Sequence, residues 1–155
     1  MRKYELTDET TEVDGKTLHR IRALRDFGGI KADDLGGFIQ KEDNLSHDGN
    51  CWVGDDAKVY GYAKVFGDAH VYGNARVDGH ARIYDKAKVY GDVIISCSNF
   101  TYEDDVNYGN VEIFGDAKVY DSARIYDAVK IFRNAEIRGL ANIRGNTRIP
   151  QDIKI

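Results

Sequence analysis

The sequence predicts an all-β protein assembled from one short repeated unit. Three observations carry this reading: 26 Val plus Ile against 6 Leu, 16 Gly with a single Pro, and an aliphatic residue at every sixth position across most of the last two-thirds of the 155 residues. β-branched side chains in that excess suit a pleated surface, and frequent Gly suits tight corners. An all-helical chain is excluded, because positions six apart on a 3.6-residue helix point away from each other.

The N-terminal segment comes first. Residues 1 to about 50 do not follow the repeat. Tyr4-Glu-Leu-Thr and Lys16-Thr-Leu-His-Arg-Ile-Arg-Ala-Leu flank Asp14-Gly15, a pair suited to a hairpin turn. Gly28-Gly29 and Leu35-Gly-Gly-Phe-Ile39 then form a loop feeding the first coil. A solenoid exposes an apolar cross-section and open strand edges at its ends, so a β-hairpin cap over residues 1–50 is expected there.

Residues 51–155 carry the repeat. Aliphatics fall at Val53, Val59, Val65, Val71, Val77, Ile83, Val89 and Ile95, and again from Ile113 through Val119, Ile125, Ile131, Ile137, Ile143 and Ile149 to Ile155. A small residue usually stands two positions before each, as at Ala57, Ala63, Ala69 and Ala117, and Gly or Asp two positions after most. Side chains of a strand alternate between faces, so in Ala-Lys-Val-Tyr the Ala and Val share the inside. The following Gly-Asp or Gly-Asn turns the corner, where a left-handed backbone is needed.

These hexads resemble the hexapeptide-repeat, left-handed parallel β-helix family. The resemblance implies three hexads per triangular coil of 18 residues and a left-handed winding that the usual crossover rule would not predict. With strands about 4.8 Å apart, roughly six coils would form a prism some 30 Å long. The N-terminal segment, through Gly36-Gly37-Phe38 and Gly49-Asn50-Cys51-Trp52, also resembles the YdcK-like proteins of bacteria and phages. Those are commonly labelled transferases on the strength of the fold, and the resemblance brings no established catalytic motif.

The repeat fails from Ser96 to Val111, where Asn99, Thr101, Asp105 and Asn107 would point inward. A buried unpaired carboxylate is costly. Two arrangements remain open: an irregular coil, since Ile95 and Ile113 are one coil of 18 apart, or an excursion from the prism that shapes a ligand or partner site.

Outside, the residue after the aliphatic is mostly aromatic. With uninterrupted coils, Tyr72, Tyr90, Tyr108 and Tyr126 fall in one column, and Phe66, Tyr84, Tyr102 and Tyr120 in another. Lys64, Arg82 and Lys118 form a basic strip before the aliphatics. A looped-out 96–111 reassigns the second half of each column. Such columns exceed the apolar patch a monomer normally exposes, so self-association is expected, and the family resemblance favours a side-by-side trimer. Aromatics flanked by cations can also stack nucleobases and hold phosphates. The stretch from Val129 to Ile155 is net +4, with Arg138 and Arg144 in the aromatic position of their hexads; two readings stay open, solubilising charge on the last coils or a docking patch for an acidic partner or phosphate ligand.

Catalytic and metal signals are sparse. By resemblance, hexapeptide acyltransferases use a His as general base, with acyl-CoA between neighbouring prisms. His70, on an outward strand position, and His80, at a corner, are the two candidates. Neither lies in a family motif, and these residues are not expected to form the long acceptor loop or C-terminal helix of those enzymes. The histidines do not reproduce the three-His zinc set of the carbonic-anhydrase prisms, and Cys51 and Cys97 sit in no metal spacing, so no metal is expected. A net charge of −4 argues against a general nucleic-acid binder, and the mean hydropathy of −0.52 against a membrane span. The first ten residues lack a secretory apolar core, so a cytoplasmic location is expected. The leading expectation is a non-catalytic, self-associating solenoid without a cofactor that binds a protein partner or nucleotide-like ligand through its aromatic and basic faces. The alternative is a CoA-dependent acyltransferase using acetyl-CoA or another acyl-CoA, which rests on fold analogy.

Overall fold

The computed structural model describes residues 2–96, 110–145 and 147–150. Strand β1 (Tyr4–Val13) pairs antiparallel with β2 (Lys16–Ala23) across the Asp14-Gly15 turn, whose residues both have positive φ (52° and 78°). Strand β3 (Leu35–Ile39) pairs antiparallel with β2 and parallel with the strand at Lys58–Val59. From there the chain winds through two-to-three-residue strands that stack into three parallel sheets, and the described residues contain no α-helix.

Each sheet is one face. The first carries the strands at Lys58–Val59, Arg76–Val77, Ile94–Ser96, Arg124–Tyr126 and Asn142–Ile143, continued outward by β3, β2 and β1. The second carries Trp52–Val53, His70–Val71, Lys88–Val89, Lys118–Val119 and Glu136–Ile137. The third carries Lys64–Val65, Arg82–Ile83, Glu112–Ile113, Lys130–Ile131 and Arg148–Ile149. The alternation does what the sequence predicts: the Ala of the hexads and their Val or Ile are buried in one continuous core, while the residue between them faces out. Removing each inward Val or Ile from water stabilises the fold by about 1.5–3 kcal/mol.

The corners are left-handed backbone, filled by Gly or by Asp except at Arg133 (φ 57°). Gly91, at φ 81°, lies so close to the next coil that a Cβ would come 2.8 Å from the Asp121 carbonyl oxygen. Where Asp takes the place, its carboxylate bonds the next coil: Asp85 Oδ2 accepts from the Gly115 N–H, and Asp121 Oδ2 from the Gly139 N–H, each at 3.0 Å. The carboxylate thus ties one coil to the next at a position where a side chain is conformationally expensive.

Two features differ from expectation. Parallel rungs begin at Phe38–Ile39, well before residue 51, and Leu45 bridges Val65. Eight residues instead of six separate Leu45 from Val53, which takes this early rung out of phase with the hexads. The second difference lies in the register. Arg76 pairs with Ile94, 18 residues on, but Arg82 pairs with Glu112, Lys88 with Lys118 and Ile94 with Arg124, each 30 residues on. The step across this stretch is therefore twelve residues longer than one coil. Ile113 stands over Ile83, not over Ile95, and among the described residues the second and third faces hold five strands each.

The N-terminal segment is fastened to the first coils by polar contacts. The Tyr4 hydroxyl donates to the Leu45 carbonyl at 2.6 Å, and the buried Lys3 ammonium to the Cys51 carbonyl at 2.7 Å. The Tyr60 hydroxyl bonds the Asp14 carboxylate at 3.1 Å, holding the hairpin turn against the first face.

Candidate functional site

The thirty-residue step redistributes the outward residues. On the second face Tyr72 stacks on Tyr90, and Tyr90 on Tyr120, with centroids 4.9 and 5.1 Å apart. On the third face the ladder runs Phe66, Tyr84, Phe114, Phe132 at 4.8, 5.0 and 5.2 Å. The columns expected for uninterrupted coils are thus corrected in their second halves. Tyr120 belongs with Tyr72 and Tyr90, and Tyr126 lies on the first face under the Arg144 guanidinium (4.9 Å). Tyr102 and Tyr108 lie outside the described residues. The basic strip is split as well: Lys64 neighbours Arg82 on the third face, while Lys118 neighbours Lys88 on the second. Arg138 and Arg144 fall on the second and first faces, so no single patch gathers them.

The ring planes are within 7° of parallel along both ladders, so interior rings offer only their edges to solvent. The outer face of Phe132 is approached by the Arg148 guanidinium at 5.3 Å. A nucleobase finds no free interior ring face on which to stack. The edges form narrow strips tipped by hydroxyls where the ring is Tyr, with Tyr84 bonded to Glu112 and Tyr120 to Glu136. Burial and hydrogen bonding to Glu112 (3.0 Å) push the Tyr84 hydroxyl up to about 12.

The four histidines separate. His47 is stacked on Tyr4 at 4.2 Å, accepts the Lys3 N–H on Nδ1, and meets Glu42 with Nε2 at 2.7 Å. His19 Nδ1 lies 3.1 Å from the Thr7 carbonyl oxygen, and His80 is an exposed corner residue stacked on Tyr62. His70 has none of these partners. It is half-buried on the second face and lines an open groove of about 710 Å³. Burial, reinforced by the Lys88 and Lys3 cations, lowers its pKa below the ordinary histidine value, which keeps the imidazole neutral.

Stacking of successive coils builds this groove. One column supplies His70, Lys88, Lys118 and Glu136; the neighbouring one supplies Asn50, Asp68, Lys86, Asp116 and Asn134. Lys86, Lys88 and Lys118 form its basic centre, with Asp68 and His70 toward the N-terminal end and Asp116 and Glu136 toward the other. None of these three lysines is ion-paired among the described residues. The sequence had singled out His70 and Lys118 but not Lys86 or Lys88. Lys88 is one coil after His70, a spacing that was available to find it. No group of three potential metal ligands occurs among the described residues, and none of their helices is long and apolar enough to cross a membrane.

Three stacked parallel sheets of short strands, with six-residue rungs and corners mostly of Gly or Asp, define a β-solenoid of the hexapeptide-repeat kind. Among curated proteins, the chain is similar to one from Escherichia coli (strain K12) named "Uncharacterized acetyltransferase YdcK", with 36% identity over 67 residues. That match covers 38% of this chain and about a fifth (21%) of the length of the E. coli protein. No family model matches the chain.

Proposed function

We propose that this chain is an acyltransferase that holds a CoA thioester along the second-face groove, with His70 as general base. One observation carries the reading: a half-buried imidazole held neutral beside a groove whose centre carries three lysines with no ion pair among the described residues. The lysines suit the phosphates of a CoA molecule. A neutral imidazole takes a proton from a hydroxyl or amine as that nucleophile bonds to the acyl carbonyl carbon, and returns it to the thiolate as the carbon–sulfur bond breaks. The name of the E. coli relative points the same way. The groove and that name together favour acyl transfer over the non-catalytic binding role expected from the sequence.

Acetyl-CoA should raise the thermal midpoint of the wild-type chain, and Lys88→Ala should abolish that shift. His70→Gln should retain the shift and lose acetyl transfer. An unchanged midpoint with acetyl-CoA at millimolar concentration would defeat the proposal.

A second reading retains the self-associating scaffold. The ring edges along the second and third faces favour it, since they are suited to burial against neighbouring left-handed prisms in a trimer. The two readings are compatible where the groove lies between subunits.

A further inference from the structure

The rung that follows His70 places a nucleophile beside the base. Lys88 pairs with His70 in register, one coil on, across strands about 4.8 Å apart. Each occupies the outward position between a buried Ala and a buried Val, so the two side chains leave the same face side by side. They feel each other: the Lys88 cation is among the groups that disfavour a proton on the imidazole. Lys88 is exposed, and its ammonium has no ion pair among the described residues. The other two groove lysines stand differently. Lys118 pairs with Lys88 and so lies two rungs from His70, and Lys86 belongs to the neighbouring column. Lys88 is the groove lysine that is a direct strand neighbour of the base.

A thioester carbonyl brought to His70 for transfer is thereby also brought to the Lys88 side chain. We propose that the chain acylates itself at Lys88, with His70 as the base, and that this modification limits the chain's own activity. The step rests on the acyl-transfer reading of the groove. The Lys88 ammonium first releases one proton to solvent. Its nitrogen then bonds to the acyl carbonyl carbon while His70 takes a second proton, which passes to the thiolate as the carbon–sulfur bond breaks. Amide, free thiol and one proton result. An acylated lysine carries no charge. One of the three cations that suit the donor's phosphates is then lost, and His70 loses a neighbour that kept it neutral. Both changes weaken the site that made the modification.

The full chain can be incubated with acetyl-CoA, digested, and mapped by mass spectrometry. Acetyl occupancy at Lys88 should exceed by about tenfold that at Lys118, two rungs from the base, and at Lys64, exposed on the third face. His70→Gln should slow the labelling of Lys88 about a hundredfold. The labelled chain should also show a smaller thermal shift with fresh acetyl-CoA than the untreated chain. Comparable occupancy at Lys64 and Lys88, or a labelling rate unchanged in His70→Gln, would identify random chemical acetylation and overturn the self-acylation. An unlabelled Lys88 in a chain whose midpoint acetyl-CoA still raises would sink the self-acylation alone. An unlabelled chain without any thermal shift would overturn it together with the groove reading. Full labelling with an undiminished shift would refute the self-limiting role.

Discussion

His70 shows how one side chain is set by its neighbours. Burial and the Lys88 and Lys3 cations make it bind its proton less readily in the fold than in the unfolded chain. Between the ordinary value of 6.5 and its lower folded value, the unfolded state therefore holds more protons. Stability contributed by the neutral imidazole is full above that window and falls as pH drops through it. Denaturant midpoints measured from pH 8 to pH 4 should show this acid-side loss in the wild type, and His70→Gln should remove part of it. Equal pH dependence in the two proteins would show that the imidazole is not held neutral by the fold. His70 was visible in the sequence as an outward strand residue; its neighbour Lys88, one coil further on, was not singled out, although the 18-residue spacing was there to find it. Lys3 and Tyr4, by contrast, sit in the non-repeating segment. No period there indicates what they face.

At the scale of the rung, the hexad was almost fully legible, because Ala and Val two positions apart can be inside together only on an extended strand. Asp in place of Val71 should bury a charge and abolish soluble expression, whereas Lys64→Asp, on an exposed position, should be tolerated. Comparable soluble yields would refute the inside-outside assignment. Corners make a second contrast. Gly15 and Gly91 share a positive φ, but a Cβ at Gly15 meets nothing within 4 Å, while one at Gly91 meets the Asp121 backbone. Gly15→Ala should cost about 1–2 kcal/mol from backbone conformation alone. Gly91→Ala should cost clearly more in a denaturant series, since two backbones must also separate. The early rung at Phe38–Ile39 escaped detection for an equally local reason: two surplus residues before Val53 put Ile39 and Leu45 out of phase.

For the whole molecule, the decisive quantity is the number of residues between stacked strands. Steps of 18 and of 30 are both multiples of six, so either keeps every aliphatic inside, and the repeat alone does not distinguish them. The buried Asp105 and Asn107 that the shorter step would require weigh against it. Deleting residues 98–109 would join Cys97 to Asn110 and bring Val111 six residues after Val93, in phase with the hexads. The shortened chain should fold with the pairing Arg82–Glu112 preserved and a thermal midpoint close to the wild type. A collapsed or aggregated product would show that the twelve residues are needed for the coils to stack. Assembly can be tested separately. Light scattering on the wild type should report an oligomer, and Phe114→Lys or Tyr90→Lys should dissociate it, according to which ladder edge is covered. A strict monomer at high micromolar concentration would rule out self-association.

The same arithmetic makes the solenoid a dial with three settings. Any residue's compass direction depends on how many hexads precede it, counted modulo three, and not on its immediate neighbours. A change of one hexad in a coil would turn everything downstream by one setting, carrying Lys118 away from His70 while leaving the core undisturbed. Twelve surplus residues held outside the count leave the dial where it was. Length changes in this chain are therefore of two kinds: those confined to the outside, which are silent for the groove, and those entering the count, which would dismantle it without unfolding anything.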